Sequence, residues 1–93
     1  MSDPPYAQAQ LTLTNKLGLH ARAAAVFVRA LTGLSAQVMV SWEGRSVNGR
    51  SVLELMTLGA PQGSVLEIQV SGADAEAALA ALTTVVENRF YEE

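Results

Sequence analysis

The sequence predicts an α+β open-faced sandwich in the order βαββαβα, a four-stranded, mostly antiparallel sheet with three helices on one face. Three observations carry this reading. Three short stretches alternate apolar with polar residues, as half-buried strands do, a turn after the second implies a fourth short strand, and three others repeat apolar residues at helical spacing. Each element has a single apolar face, so packing all the helices on one side of one sheet buries every face. Finally, 93 residues suffice for one domain. Residues 1–6, with Pro4 and Pro5 and no periodicity, read as a loose leader, and residues 7–93 as the domain.

From Ala7 to Thr14, Ala7, Ala9, Leu11 and Leu13 alternate with Gln8, Gln10, Thr12 and Thr14, giving the first strand. Asn15 to Gly18 break the pattern. Ala24, Phe27, Val28 and Leu31 then share one face of a helix that starts near Ala21, and Gly33 supplies its stop. Ala36, Val38, Val40 and Trp42 form the inner row of the second strand, with Trp42 expected in the core. Glu43-Gly44 turns the chain into a short third strand over Arg45 to Asn48. Ser51-Val52-Leu53-Glu54 reads as a capping box that opens a helix of about two turns, ended by Gly59. Leu66, Ile68 and Val70 mark the fourth strand. Asp74 is the expected N-cap of a last helix with Ala75, Ala78, Leu79, Leu82 and Val86 on one face, Glu76 near its positive end and Arg89 near its negative end.

Composition removes several functions. Hydrophobic residues make up 49% and charged residues 16%, so disorder is not the main state. With no cysteine and one histidine, the chain has no disulfide, no thiolate ligand and no multi-histidine metal site. The longest apolar run, Ala23 to Val28, is far short of the roughly 20 residues that span a bilayer, and no signal region opens the chain. A cytoplasmic protein without membrane insertion is expected. The formal net charge is −3, but unevenly placed: residues 1–50 carry five cations against two acids, whereas residues 51–93 carry one cation against seven. Scattered aromatics and a negative total argue against a nucleic-acid binder. No serine, cysteine or carboxylate pair stands beside the histidine in sequence, which disfavours an autonomous hydrolase.

His20 is the chemically distinctive residue, in Leu17-Gly18-Leu19-His20-Ala21-Arg22. It falls where a glycine turn meets the first helix. The unpaired amides of Ala21, Arg22 and Ala23 and the partial positive charge there suit an anion held on the ring. That charge also favours the neutral ring, whose lone pair a nucleophile requires. Arg22 can add a guanidinium to phosphoryl oxygens. The same spacing fits a plain helix cap or a solvated surface histidine.

Asn15-Lys16-Leu17-Gly18-Leu19-His20-Ala21-Arg22, followed by Ser51-Val52-Leu53-Glu54-Leu55-Met56-Thr57-Leu58-Gly59-Ala60, resembles the two signature regions of the HPr family, the histidine-containing phosphocarriers of the bacterial phosphotransferase system. The similarity spans about Ala7 to Phe90, and the family's fold is the same open sandwich. The resemblance implies a carrier, a transfer intermediate without a cofactor and not a turnover enzyme in itself. Enzyme I would phosphorylate His20 through Nδ1, with Arg22 beside the phosphoryl group, and enzyme IIA domains would receive it for sugar uptake. Two positions depart from the family pattern: Ala23 replaces the usual proline, and Leu17 the usual asparagine or threonine.

By the same resemblance, Ser51 is a candidate for phosphorylation by a dedicated ATP-dependent kinase, although the capping box alone explains a serine there. Val52, Leu53, Leu55, Met56 and Leu58 exceed what one face of a short helix buries. Leu55 and Leu58 have core spacing, leaving Val52, Leu53 and Met56, with Ala25, as a docking patch ringed by Arg22, Arg29 and Arg50. A monomer is expected. The alternative is a regulatory HPr-like protein that binds carbon- or nitrogen-signalling partners and feeds no sugar transporter.

Overall fold

A computed structural model describes residues 5–92. Its elements are β1 (Tyr6–Thr12), α1 (Ala21–Arg29), β2 (Gln37–Trp42), β3 (Arg45–Asn48), α2 (Val52–Thr57), β4 (Val65–Ser71) and α3 (Ala75–Glu87), followed by a short turn at Arg89–Tyr91. The strands lie in the order β1-β4-β2-β3, antiparallel at every pairing. β4 is the spine. Ile68 stands opposite Ala9 on one side and Val40 on the other, and Val70 opposite Ala7 and Val38. The inner rows therefore align across three strands, and Ile68, Val70, Val40 and Leu66 are fully buried beneath the helices. Each such side chain contributes about 1.5–3 kcal/mol by leaving water, so slipping a strand by one residue would expose the whole row.

The alternation outlasts the strand it defines. β1 ends at Thr12, yet Leu13 is completely buried, with its N–H donating to the Ser64 carbonyl (2.8 Å) and its carbonyl accepting from the Gly63 amide (2.7 Å). At the other end β1 includes Tyr6, and Gly72 N–H donates to the Pro5 carbonyl (3.0 Å). The expected leader, residues 1–6, lies outside the described residues as far as position 4. At the β2–β3 hairpin, Glu43 (φ 49°) and Gly44 (φ 80°) are both left-handed, as the type I′ turn requires.

Four local expectations are corrected. Trp42 is half-buried, packed on the margin of the core. α1 ends at Arg29, and the chain reaches the left-handed Gly33 (φ 80°) through further turns. Ser51 caps α2, its Oγ accepting from Glu54 N–H (3.1 Å), but the Glu54 carboxylate accepts from Asn48 N–H (2.9 Å) instead of returning to Ser51. The Ser51 amide is already donated to the Asn48 carbonyl (3.1 Å), which leaves the glutamate free for the next donor along the loop. Asp74 occupies the cap position of α3 without capping it; its carboxylate accepts from Ser35 N–H (2.6 Å), tying the approach to β2 to the start of α3.

Candidate functional site

Phe27, Ala24 and Ala23 of α1 are fully buried and anchor the helix in the core. The preceding loop is pinned at its back. Leu19 N–H donates to the Ala60 carbonyl (2.9 Å), and Gly18 (φ 66°) lies so close that a Cβ there would stand 2.3 Å from the same carbonyl oxygen. Only glycine fits, on both counts. His20 follows in extended conformation as the N-cap, its carbonyl accepting from Ala24 N–H (2.8 Å) and its ring making no cap bond. Among the described residues, the amides of Ala21, Arg22 and Ala23 donate to no backbone or side-chain acceptor, and no acid occupies the first turn of α1. The helix end is electropositive and open.

His20 is partly exposed, its side chain retaining 28% of its accessible surface. Its ring is held from the far end of the chain. Nε2 lies 2.5 Å from Glu92 Oε2, a contact that is an ion pair only when the ring is protonated. Partial burial pushes the Glu92 carboxyl up, but hydrogen bonds from His20 and Asn15 and the nearby charges of His20 and Arg22 outweigh it and hold the group below its ordinary 4.5. At neutral pH it is ionised and only accepts, so the proton in the short contact belongs to Nε2. In the neutral ring, Nδ1 then keeps the lone pair.

Glu92 arrives there through an unusual backbone. Arg89, Phe90 and Tyr91 all have positive φ (54°, 55° and 60°), a left-handed turn without glycine. Each such residue costs about 1–2 kcal/mol. Burial of Phe90, only 2% exposed, opposes that cost, as do the bonds made by Glu92. The cleft beside the ring brings together Lys16, Leu17, Arg22, Arg89 and Tyr91 with His20 and Glu92.

The residues singled out from sequence fall into two groups. His20, Arg22 and the amides of Ala21, Arg22 and Ala23 meet at the α1 terminus, although the Ala23 side chain is buried. Leu53 (74% exposed) and Met56 (42%) face solvent on α2, Ala25 and Val52 are half-buried, and Arg29 is exposed. Arg50 does not match its expected place in a free charge ring. It is half-buried, with Nε donating to the Ala36 carbonyl (2.7 Å) and another guanidinium N–H to that of Leu34, because those carbonyls precede β2 without strand partners. Glu92 escaped the sequence reading, which gave Asn15, Lys16 and Arg89 no role of their own beside the histidine. The available signal was an aromatic residue and two acids just beyond a helix end, a pattern that also fits a solvated tail.

The family model described as "PTS HPr component phosphorylation site" matches residues 7–88. The phosphocarrier protein HPr of Xylella fastidiosa (strain Temecula1) is 43% identical over 84 residues, which cover 90% of this chain and 94% of that protein. Among solved structures, HPr-C-His from Thermoanaerobacter tengcongensis superposes with a TM-score of 0.88 at 38% identity, covering 94% of this chain and 98% of that one. An HPr dimer from the same organism reaches a TM-score of 0.73 at 36% identity, covering 99% and 100%. The four-stranded open sandwich is thus shared with known phosphocarriers. The chain belongs to the HPr family of the phosphotransferase system.

Proposed function

We propose that His20 accepts a phosphoryl group on Nδ1 from phosphorylated enzyme I and passes it to enzyme IIA domains in sugar uptake. The observation that carries this reading is the ring itself: Nε2–H is engaged by Glu92, Nδ1 keeps its lone pair, and the ring stands at the start of a helix whose first amides are unpaired among the described residues. Such an end receives phosphate with donors and a favourable dipole. Arg22, exposed at the second position of α1, supports the transferred oxygens with a guanidinium. Alanine at position 23 is a good helix former, so the absent proline leaves the start of α1 intact.

Leu17 (67% exposed), Leu53 and Met56 form the apolar part of the docking face, on segments linked by the Leu19–Ala60 hydrogen bond. Arg22 and Arg29 supply its positive rim, suited to acidic, partly apolar partners that must bind quickly and leave. Phosphorylation of Ser51 by a dedicated kinase would add negative charge to this face and repel the same partners. The working form is proposed to be a cytoplasmic monomer, because one face serves donor and acceptor in turn. No helix among the described residues is long and apolar enough to cross a membrane.

Incubation with phosphoenolpyruvate and enzyme I is expected to give an acid-labile adduct, located on Nδ1 by phosphorus NMR and absent from His20→Ala. Labelling that persists in His20→Ala refutes the assignment. Capture of regulators with no enzyme IIA from a lysate would favour the regulatory alternative, and sedimentation measures the oligomeric state.

A further inference from the structure

Asn15 is 2% exposed, yet it is polar and only half satisfied. Its side-chain amide donates to the Gly18 carbonyl (2.7 Å) and to Glu92 Oε1 (3.2 Å), while Oδ1 is buried without a partner among the described residues. Both partners are acceptors only, which fixes the amide orientation with NH₂ toward them. A buried, unpaired acceptor is unfavourable, and an apolar side chain of similar size would avoid it. Such a side chain could not donate to Glu92. The carboxylate is thereby held at both oxygens, Oε1 by Asn15 and Oε2 by His20 Nε2–H, across 77 and 72 residues of sequence. The left-handed turn that delivers Glu92 is strained, and strain of this kind persists where surrounding contacts over-determine it.

We propose that Asn15 is a positioning residue for the phosphoryl acceptor, acting through Glu92 to hold the His20 ring as its Nε2–H tautomer. The inference deepens the reading of His20 as acceptor and rests on it for its kinetic consequence. When the Nδ1 lone pair forms the new N–P bond, the N–P bond of the donor's phosphohistidine breaks and its electrons return to the donor ring. The His20 ring keeps its Nε2 proton and becomes positively charged, facing the Glu92 carboxylate. Onward transfer returns the N–P electrons to Nδ1, and no proton has to leave the ring in either direction. A ring protonated on Nδ1 would first have to lose that proton.

The test is nitrogen-15 NMR of the His20 ring, at a pH where it is neutral, in the wild type, Asn15→Asp and Glu92→Gln. Phosphoryl uptake from phosphorylated enzyme I is timed in parallel. The expected wild-type ring carries its proton on Nε2. Asn15→Asp keeps the shape but removes both donors, and is expected to give a mixture of tautomers with uptake slowed roughly tenfold, the scale of one charge-assisted hydrogen bond. Glu92→Gln is nearly isosteric and leaves the Asn15–Gly18 bond in place, so it carries the test if Asn15→Asp fails to fold. A wild-type ring protonated on Nδ1, or unchanged tautomer populations in the folded variants, overturns the proposal. A wild type that takes up no phosphoryl group overturns the acceptor reading instead, while the ring spectra still decide the tautomer.

Discussion

The helices α1 and α2 begin alike and are finished differently. Both have an extended N-cap, His20 (φ −89°) and Ser51 (φ −111°). At α2 the serine hydroxyl accepts from the Glu54 amide, and Glu54 adds an acid to the first turn, so the positive end is answered from within the chain. At α1 the cap side chain turns to Glu92, no acid follows, and the amides are unpaired among the described residues. The same backbone feature is closed where it serves stability and open where it can meet an incoming anion. An open end forgoes about 1 kcal/mol that an ordinary cap supplies.

The largest effect that would break this contrast is expected at the loop holding the open end in place. Gly18→Ala should lower unfolding free energy in urea by about 3 kcal/mol or more, since it combines left-handed strain with a 2.3 Å clash against backbone. Gly59→Ala has similar strain (φ 65°) with nothing within 4 Å, and should lose only about 1 kcal/mol. Equal losses would show that the close approach to Ala60 does not matter. Next, Ala21→Asp places a carboxylate in the first turn of α1. It should raise stability by about 0.3–1 kcal/mol through the helix dipole while slowing phosphoryl uptake at least tenfold, so thermodynamics and transfer move in opposite directions. Ser51→Ala is the mirror experiment: about 1 kcal/mol of stability lost, with phosphoryl uptake at His20 unchanged in rate.

The smallest effect concerns acid. The folded-state pKa of Glu92 lies below 4.5, so its interactions stabilise the fold fully above about pH 4.5 and are lost as pH falls through the lower folded value. Glu92→Gln should therefore show a shallower loss of stability on acidification over that range, with little change in its pH dependence just above it. Identical acid titrations of wild type and variant would remove the carboxylate from the account of the site.

Periodicity made the strands and helix faces legible because burial is a row property: Leu66, Ile68 and Val70 had to face one way together. His20 and Arg22 were legible because a glycine turn, a helix start and the family pattern coincide there. Hydrogen-bond partners were not, since tertiary approach selects them. Glu54 had the spacing to return to Ser51 but met Asn48, and Asp74 had the identity of a cap but met Ser35. Arg50 looked like part of a charged rim until two unpaired carbonyls claimed it. Glu92 and Asn15 were hidden for the same reason, because neither the left-handed backbone before Glu92 nor its reach across 72 residues leaves a mark in local spacing.

The uncovered side of the sheet offers a practical opening. Gln8, Gln10, Thr12, Glu67 and Gln69 point away from the helices, are exposed, and do not line the histidine cleft. A cysteine introduced at Gln10 into this thiol-free chain would give a single attachment point for a fluorophore or a sensor surface, with the imidazole end left open to arriving proteins.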